Sequence, residues 1–289
     1  RGDVAVKGDR VAAVGAVGRA GARLEIDAGG LAVAPGFVNM LSWANVSLLV
    51  DGRSQSDVRQ GVTLEVLGEG WSMGPLNPAM KAEMVERQGD LRYDVPWNTL
   101  GEYLAHLERR GVSTNVASFV GATTVRIHVV GYEDRAPTPG ELARMQALVR
   151  QAMEEGAMGL SSALLYAPAC YSTDDELVAL ARPVAEAGGL YISHIRNEGG
   201  RLLQSIDELI DVARRAGVAA EIYHLKASGR DNWGLLDGAI ARIEEARVAG
   251  LALTADMYTY TASSTGLDAT MPPWVQEGGH RAWVERLKD

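Results

Sequence analysis

Residues 189–229 read GLYISHIRNEGGRLLQSIDELIDVARRAGVAAEIYHLKASG, and the order of elements within them decides the architecture. A short apolar run, GLYISH, leads into a stretch where Leu202, Ile206, Leu209, Ile210 and Ala213 recur at the three- and four-residue intervals of one helix face. Gly217 then stands where a helix-ending C′ residue belongs, and a second apolar run, AAEIYH, follows at once. Strand, helix, glycine, strand predicts one parallel crossover unit.

The same rhythm extends in both directions. VAPGFVNM, GVTLEVLG, TNVASFVG and AMGLSSAL precede the unit and LALTADMYTY follows it, making seven strand-like runs with those already quoted. Helical spacing recurs at 137–156, 172–189 and 237–250, each closed by glycine, and Thr138 and Ser172 are the expected N-caps of the first two. Neither G-x-G-x-x-G after the first strand nor G-x-x-x-x-G-K-[ST] occurs, so a nucleotide-binding sheet lacks its usual signatures. Polar and ionisable residues gather at the C-terminal ends of the runs, where barrel enzymes place their chemistry. The expected fold is therefore an α/β chain: a (β/α)₈ TIM-type barrel over 35–289, truncated before its eighth strand. Residues 1–34, short and Gly-punctuated with alternating Val and Ala, read as antiparallel strands belonging to a small β-sandwich.

Composition removes other classes. The chain has 289 residues with 28 Lys+Arg against 37 Asp+Glu, a net charge of −9, and no basic stripe for a nucleic acid to follow. Cys170 is the single cysteine and cannot form an internal disulfide, and no apolar run approaches the ~20 residues of a membrane span. These features predict a cytoplasmic protein without membrane or nucleic-acid partners.

His194 and His224 end consecutive strand runs. Strict alternation puts His194 with Arg196, and His224 with Lys226, on one face, and Ser193 and Tyr223 on the other. Neighbouring strands lie about 5 Å apart, so two imidazoles at the rim can meet one ion. Zinc takes histidine nitrogen and carboxylate oxygen, and Glu69 is the candidate third ligand, at the end of the second run in phase with Glu65, between Gly68 and Gly70. Spacing alone leaves open that the histidines are hydrogen-bonded core residues and Glu69 an exposed loop side chain.

Taken together and in order, APGFVN (34–39), GVTLEVLGEG (61–70), GLSSALLYAPACYSTDDELVALAR (159–182), YISHIRNEGG (191–200), YHLKASG (223–229), DMYTYTASSTGL (256–267) and MPPWVQEGG (271–279) resemble the N-acyl-D-amino-acid deacylases (D-aminoacylases) of the amidohydrolase superfamily. The resemblance implies a small β-sandwich fused to a metal-dependent barrel that hydrolyses the linear amide of a small-molecule N-acyl-D-amino acid to a carboxylic acid and a D-amino acid. It matches His194 and His224 to the histidines of the tightly held zinc. The family's cysteine ligand is absent from the second run, and Glu69 is its nearest equivalent. The superfamily's D-x-H-x-H is replaced by Asn39, Met40, Leu41, Ser42 and Trp43, so one zinc ion is expected and not two.

The resemblance also implies that Lys226 and Tyr258 hold the substrate carboxylate. It places the general-base aspartate on a strand beyond Asp289 and makes Asp256 scaffold on the seventh strand. Arg196 and Glu198 read as supporting or mutually paired groups. Cys170, His106 on an exposed helix face, His128 in a loop-like stretch and His280 near a helix start carry no expected chemistry. Two rival expectations are a catalytically degenerate amidohydrolase-like protein, suggested by Leu41 and Trp43, and an amidohydrolase of another, cyclic amide.

Overall fold

The Val/Ala alternation at the N-terminus forms a hairpin in the computed structural model, which describes residues 1–18 and 21–288. β1 (Asp3–Lys7) and β2 (Arg10–Gly15) pair antiparallel, with a bulge between Ala5 and Val6. The second expected strand region, RLEIDAGGLAV at 23–33, forms no regular element. Asp27 caps a local turn there by accepting the Gly29 N–H at 2.8 Å, and Leu24 and Ile26 stay 73% and 79% exposed. Without a ladder partner, alternation alone does not hold a strand. This hairpin belongs to a first unit, Arg1–Phe37, and the rest of the chain from Val38 forms a second.

All seven strand-like runs of the crossover pattern are strands. They are β3 (Phe37–Ser42), β4 (Val62–Leu67), β5 (Asn115–Ser118) with β6 (Val120–Gly121), β7 (Gly159–Ala163), β8 (Leu190–His194), β9 (Ala219–Ile222) and β10 (Leu253–Ala255). They hydrogen-bond as β3-β4-β5 and as β6-β7-β8-β9-β10. Only Phe119 separates β5 from β6, and its N–H donates to the Leu67 carbonyl at 3.0 Å, so one segment serves both sheets. β4 and β5 run parallel, as do all neighbours from β6 to β10.

The crossovers are the expected helices, Pro139–Glu154, Asp174–Glu186, Leu202–Ala216 and Leu236–Val248. Thr138 caps the first in a reciprocal box with Glu141. The second is capped by Thr173 and not Ser172. The extended backbone at Thr173 turns its hydroxyl onto the Glu176 N–H, whereas Ser172 donates instead to the Glu176 carboxylate at 3.0 Å. Gly217, at φ 73°, ends the third helix in the left-handed conformation expected of a C-terminal glycine.

Two apolar clusters show which way each strand residue faces. Leu67, Tyr191, Ala220 and Ile222 pack with helix residues such as Leu177, Leu180, Ile206 and Leu209. Each large aliphatic side chain so buried contributes about 1.5–3 kcal/mol. On the other face, Val66, Phe119, Ile192 and Tyr223 pack against one another with Met40, Leu41 and Leu64, and among the described residues no helix takes part. Among the described residues no helix is long and apolar enough to cross a membrane.

Candidate metal centre

The strand-only face ends in three converging side chains. His194 follows Ile192 by ordinary alternation, buried at the tip of β8. Alternation would put His224 on the helix side, because Tyr223 belongs to the strand-only cluster and Ile222 to the helix-covered one. The expectation that Tyr223 faces away from the site is thus overturned: His224 reaches the site because its own backbone is left-handed, at φ 37°. Glu69 arrives in a similar way. Glu65 is out of phase with it, fully buried on the other side and held by the hydroxyls of Ser42, Ser54 and Thr114 at 2.7–2.8 Å. Gly68, at φ 98°, reverses the phase. Ser161 of β7 then brackets Glu69, its hydroxyl accepting from the Gly70 N–H at 3.0 Å and donating to the Gly68 carbonyl.

One oxygen is the meeting point. Glu69 Oε1 lies 2.8 Å from His194 Nδ1 and 3.1 Å from His224 Nε2, with the imidazole centroids 4.5 Å apart and nearly perpendicular. Ligand atoms of the three residues all lie within 4.8 Å of one another, and all three side chains are buried. Zinc bonds of about 2.0–2.1 Å in a tetrahedron separate its ligands by about 3.3 Å, close to the two distances to Glu69 Oε1. Two imidazoles and a carboxylate are also a donor set that zinc accepts, leaving a fourth position open. The residues fit the ion.

In the metal-free protein the surroundings favour an ionised Glu69 and a protonated His224, so an ion that binds here displaces the His224 proton. Burial would raise the Glu69 carboxyl, but hydrogen bonds from His194 and His224 outweigh it and bring its pKa down to about 2. Burial would lower His224, yet Glu198 and Glu69 together push it up to about 9 in the metal-free protein. Glu198 Oε1 lies 3.1 Å from His224 Nδ1, the nitrogen turned away from Glu69, in the pattern by which carboxylates orient metal-binding imidazoles. His194 Nε2, 3.7 Å from the same oxygen, is buried without a hydrogen-bond partner.

Other expected site residues fall nearby. Lys226 Nζ pairs with Glu198 at 2.5 Å, lies 3.0 Å from His224 Nδ1 and sits 5.5 Å over the Tyr258 ring. Tyr258 stands at the rim, 6.2 Å from the His224 ring and stacked on Tyr260. Arg196 and Glu198 are not paired with each other. Arg196 instead takes Glu208 at 2.7 Å and the carbonyls of Cys170 and Ser172, because it lies beyond the end of β8 on the side of the preceding loop.

Leu41 packs into the strand-only cluster, whereas Trp43 turns its indole N–H onto Glu69 Oε2 at 2.9 Å, a contact no sequence pattern announced. Tyr166, edge-on to His194 at 5.1 Å, was likewise unmarked. His106 is partly buried against Trp97, and His128 lies in the helix Ala122–Val129, not in a loop.

The chain was compared with known proteins. No protein-family model matches it. A D-aminoacylase of Alcaligenes xylosoxydans xylosoxydans is 34% identical over 271 residues, 92% of this chain and 55% of that enzyme. A solved D-aminoacylase, described through the functional role of its binuclear metal centre with one-metal activation and second-metal attenuation, superposes with a TM-score of 0.79 at 33% identity, covering 90% of this chain and 54% of that one. The N-acyl-D-glutamate deacylase of Bordetella bronchiseptica, solved with zinc and a phosphonate mimic of the reaction's tetrahedral intermediate, gives a TM-score of 0.80 at 31% identity, covering 90% and 55%. The chain spans about half the length of the relatives it matches. Across that half, sequence and fold are similar to those of the D-aminoacylases, a subset of the amidohydrolases.

Proposed function

We propose that the protein hydrolyses the linear amide of N-acyl-D-amino acids, using one zinc ion held by Glu69, His194 and His224. The convergence of both imidazoles on Glu69 Oε1 carries this reading. The larger unit is read as the main part of a (β/α)₈ barrel with its site at the carboxyl ends of the strands, and the hairpin unit as part of a small β-sandwich. Zinc, when bound, supplies a Lewis acid that polarises the scissile carbonyl and acidifies a water molecule.

The chain's own residues hold the ion and position the substrate, and the general base is expected on the strand beyond Asp289. Glu69 and the two imidazoles provide the ligand atoms, and Glu198 fixes the orientation of the His224 ring from behind. Lys226 and Tyr258, side by side at the rim, hold the substrate carboxylate and so select the enantiomer whose amide faces the metal position. Trp43 occupies the second oxygen of Glu69, and Leu41 is spent on packing, so neither supplies a ligand for a second ion.

The test is metal content together with a panel of N-acyl-D and N-acyl-L amino acids and cyclic amides. One zinc per chain with D-selective release is expected. Bound zinc with no turnover of any amide would favour a degenerate member, and turnover of cyclic amides alone would move the substrate class.

A further inference from the structure

We infer that Asp256 is a positioning residue that sets the direction of the His224 imidazole, an inference that rests on the metal-centre reading above. His224 and Ser54 are the two non-glycine residues with positive φ among the described residues. Holding a side chain in that conformation costs free energy that an ordinary strand residue does not. Glycine would relieve the cost, but glycine carries no imidazole.

The turn therefore needs a holder, and Asp256, the first residue past β10, contacts it at three points. Its N–H donates to the Ile222 carbonyl at 3.1 Å, and its own carbonyl accepts from the Leu225 N–H at 3.0 Å. Those two bonds continue the β9–β10 ladder, and any residue with a main-chain N–H could make them. The third is particular to this side chain: Oδ1 accepts the N–H of the left-handed residue His224 itself at 2.6 Å.

The carboxylate touches no imidazole nitrogen, and its Oδ2 is buried without a partner. Asp256 thus acts on the backbone of His224 and only through it on the ring. If the acceptor is lost, the turn relaxes toward ordinary extended backbone and the ring swings to the helix side where Ile222 points, away from Glu69.

The experiment uses the intact protein and its Asp256→Ala, Asp256→Asn and Asp256→Glu variants. Two quantities are read: the zinc dissociation constant by chelator competition, and exchange of the His224 amide proton by NMR in the zinc-free state. Asp256→Ala should weaken zinc binding by about 10–100-fold and speed exchange, whereas Asp256→Asn, which keeps an acceptor oxygen, should stay within about threefold of wild type. If Asp256→Ala does not fold, Asp256→Glu carries the test, since it keeps the charge but displaces the acceptor by one methylene; about tenfold weaker binding is expected. Folded Ala and Glu variants that both match wild type in zinc affinity, or an unprotected His224 amide in wild type, would overturn the inference and leave the metal centre standing. A wild-type protein that takes up no zinc would overturn the reading beneath it and this inference with it.

Discussion

β8 and β9 bring the same type of side chain to the same point by opposite means. In β8, Ile192 and His194 are simply successive inward residues of a regular strand, and the ring's direction comes free with the pleat. Just past β9 the residue on the strand-only face is Tyr223, and His224 is swung round to the site by its left-handed backbone. Glu69 resembles the second case, with Gly68 absorbing the reversal. A ligand built on a regular strand needs only the sheet. One built on a reversal needs the sheet and a clamp.

The largest expected effect tests whether the two histidines are equal at the metal despite unequal supports. His194→Ala and His224→Ala should each reduce bound zinc from one ion toward none and lower amide hydrolysis by about 10³-fold, the loss of a Lewis acid worth several kcal/mol. Metal analysis beside steady-state rates is the check. Retained zinc in either variant would remove that residue from the ligand set.

The next two predictions probe the packed loop behind β8. Burial pushes the Cys170 thiol up to about 11. At pH 8 its alkylation by iodoacetamide should run about 10²-fold slower than that of an open thiol. Its folded pKa lies above the unfolded value of 9.0, so the contribution of Cys170 to stability is intact below pH 9 and is lost as pH rises through about 11. Rapid labelling of the native protein would mean that this loop is open. Arg196→Ala removes the side chain that ties the loop carbonyls of Cys170 and Ser172 to Glu208. It should cost about 2 kcal/mol in a denaturant melt while leaving zinc content unchanged. A loss of zinc in that variant would show that β8 too depends on outside support.

The smallest effect concerns Trp43. Trp43→Phe removes the indole hydrogen bond from Glu69 Oε2, and zinc affinity should fall by about tenfold or less. Calorimetric titration measures it. A second ion taken up by this variant would show that the indole keeps Glu69 from bridging two metals.

The architecture was legible because hydrophobic period changes are large signals. Seven apolar runs alternating with 3.6-period stretches sufficed to place the parallel strands and the crossovers between the later ones. The meeting of Glu69, His194 and His224 was legible for a less secure reason. Alternation accounted correctly for His194, but for His224 and Glu69 it led to the site through a phase that the backbone does not keep.

Single-residue reversals leave almost no trace in a hydrophobic pattern, and only Gly68 carried a hint. Long-range polar partners are harder still. Glu198 lies past the end of β8, and its approach to Lys226 is fixed by a main-chain bond from the Ser228 N–H to the Glu198 carbonyl at 2.7 Å, a contact between two loops with no local period. The hairpin unit shows the converse, where alternation at 23–33 without a partner strand yields no strand.

If Lys226 takes the substrate carboxylate as proposed, its pairing with Glu198 sets how that anion enters. The ammonium already has an internal anion at 2.5 Å, so a carboxylate arriving from solution enters by exchange and not by filling a vacancy. What the newcomer gains, Glu198 gives up, and the net affinity is a difference between two similar attractions. On the proposed role of Lys226, exchange of that kind leaves only a small net gain for the carboxylate and favours a high Michaelis constant.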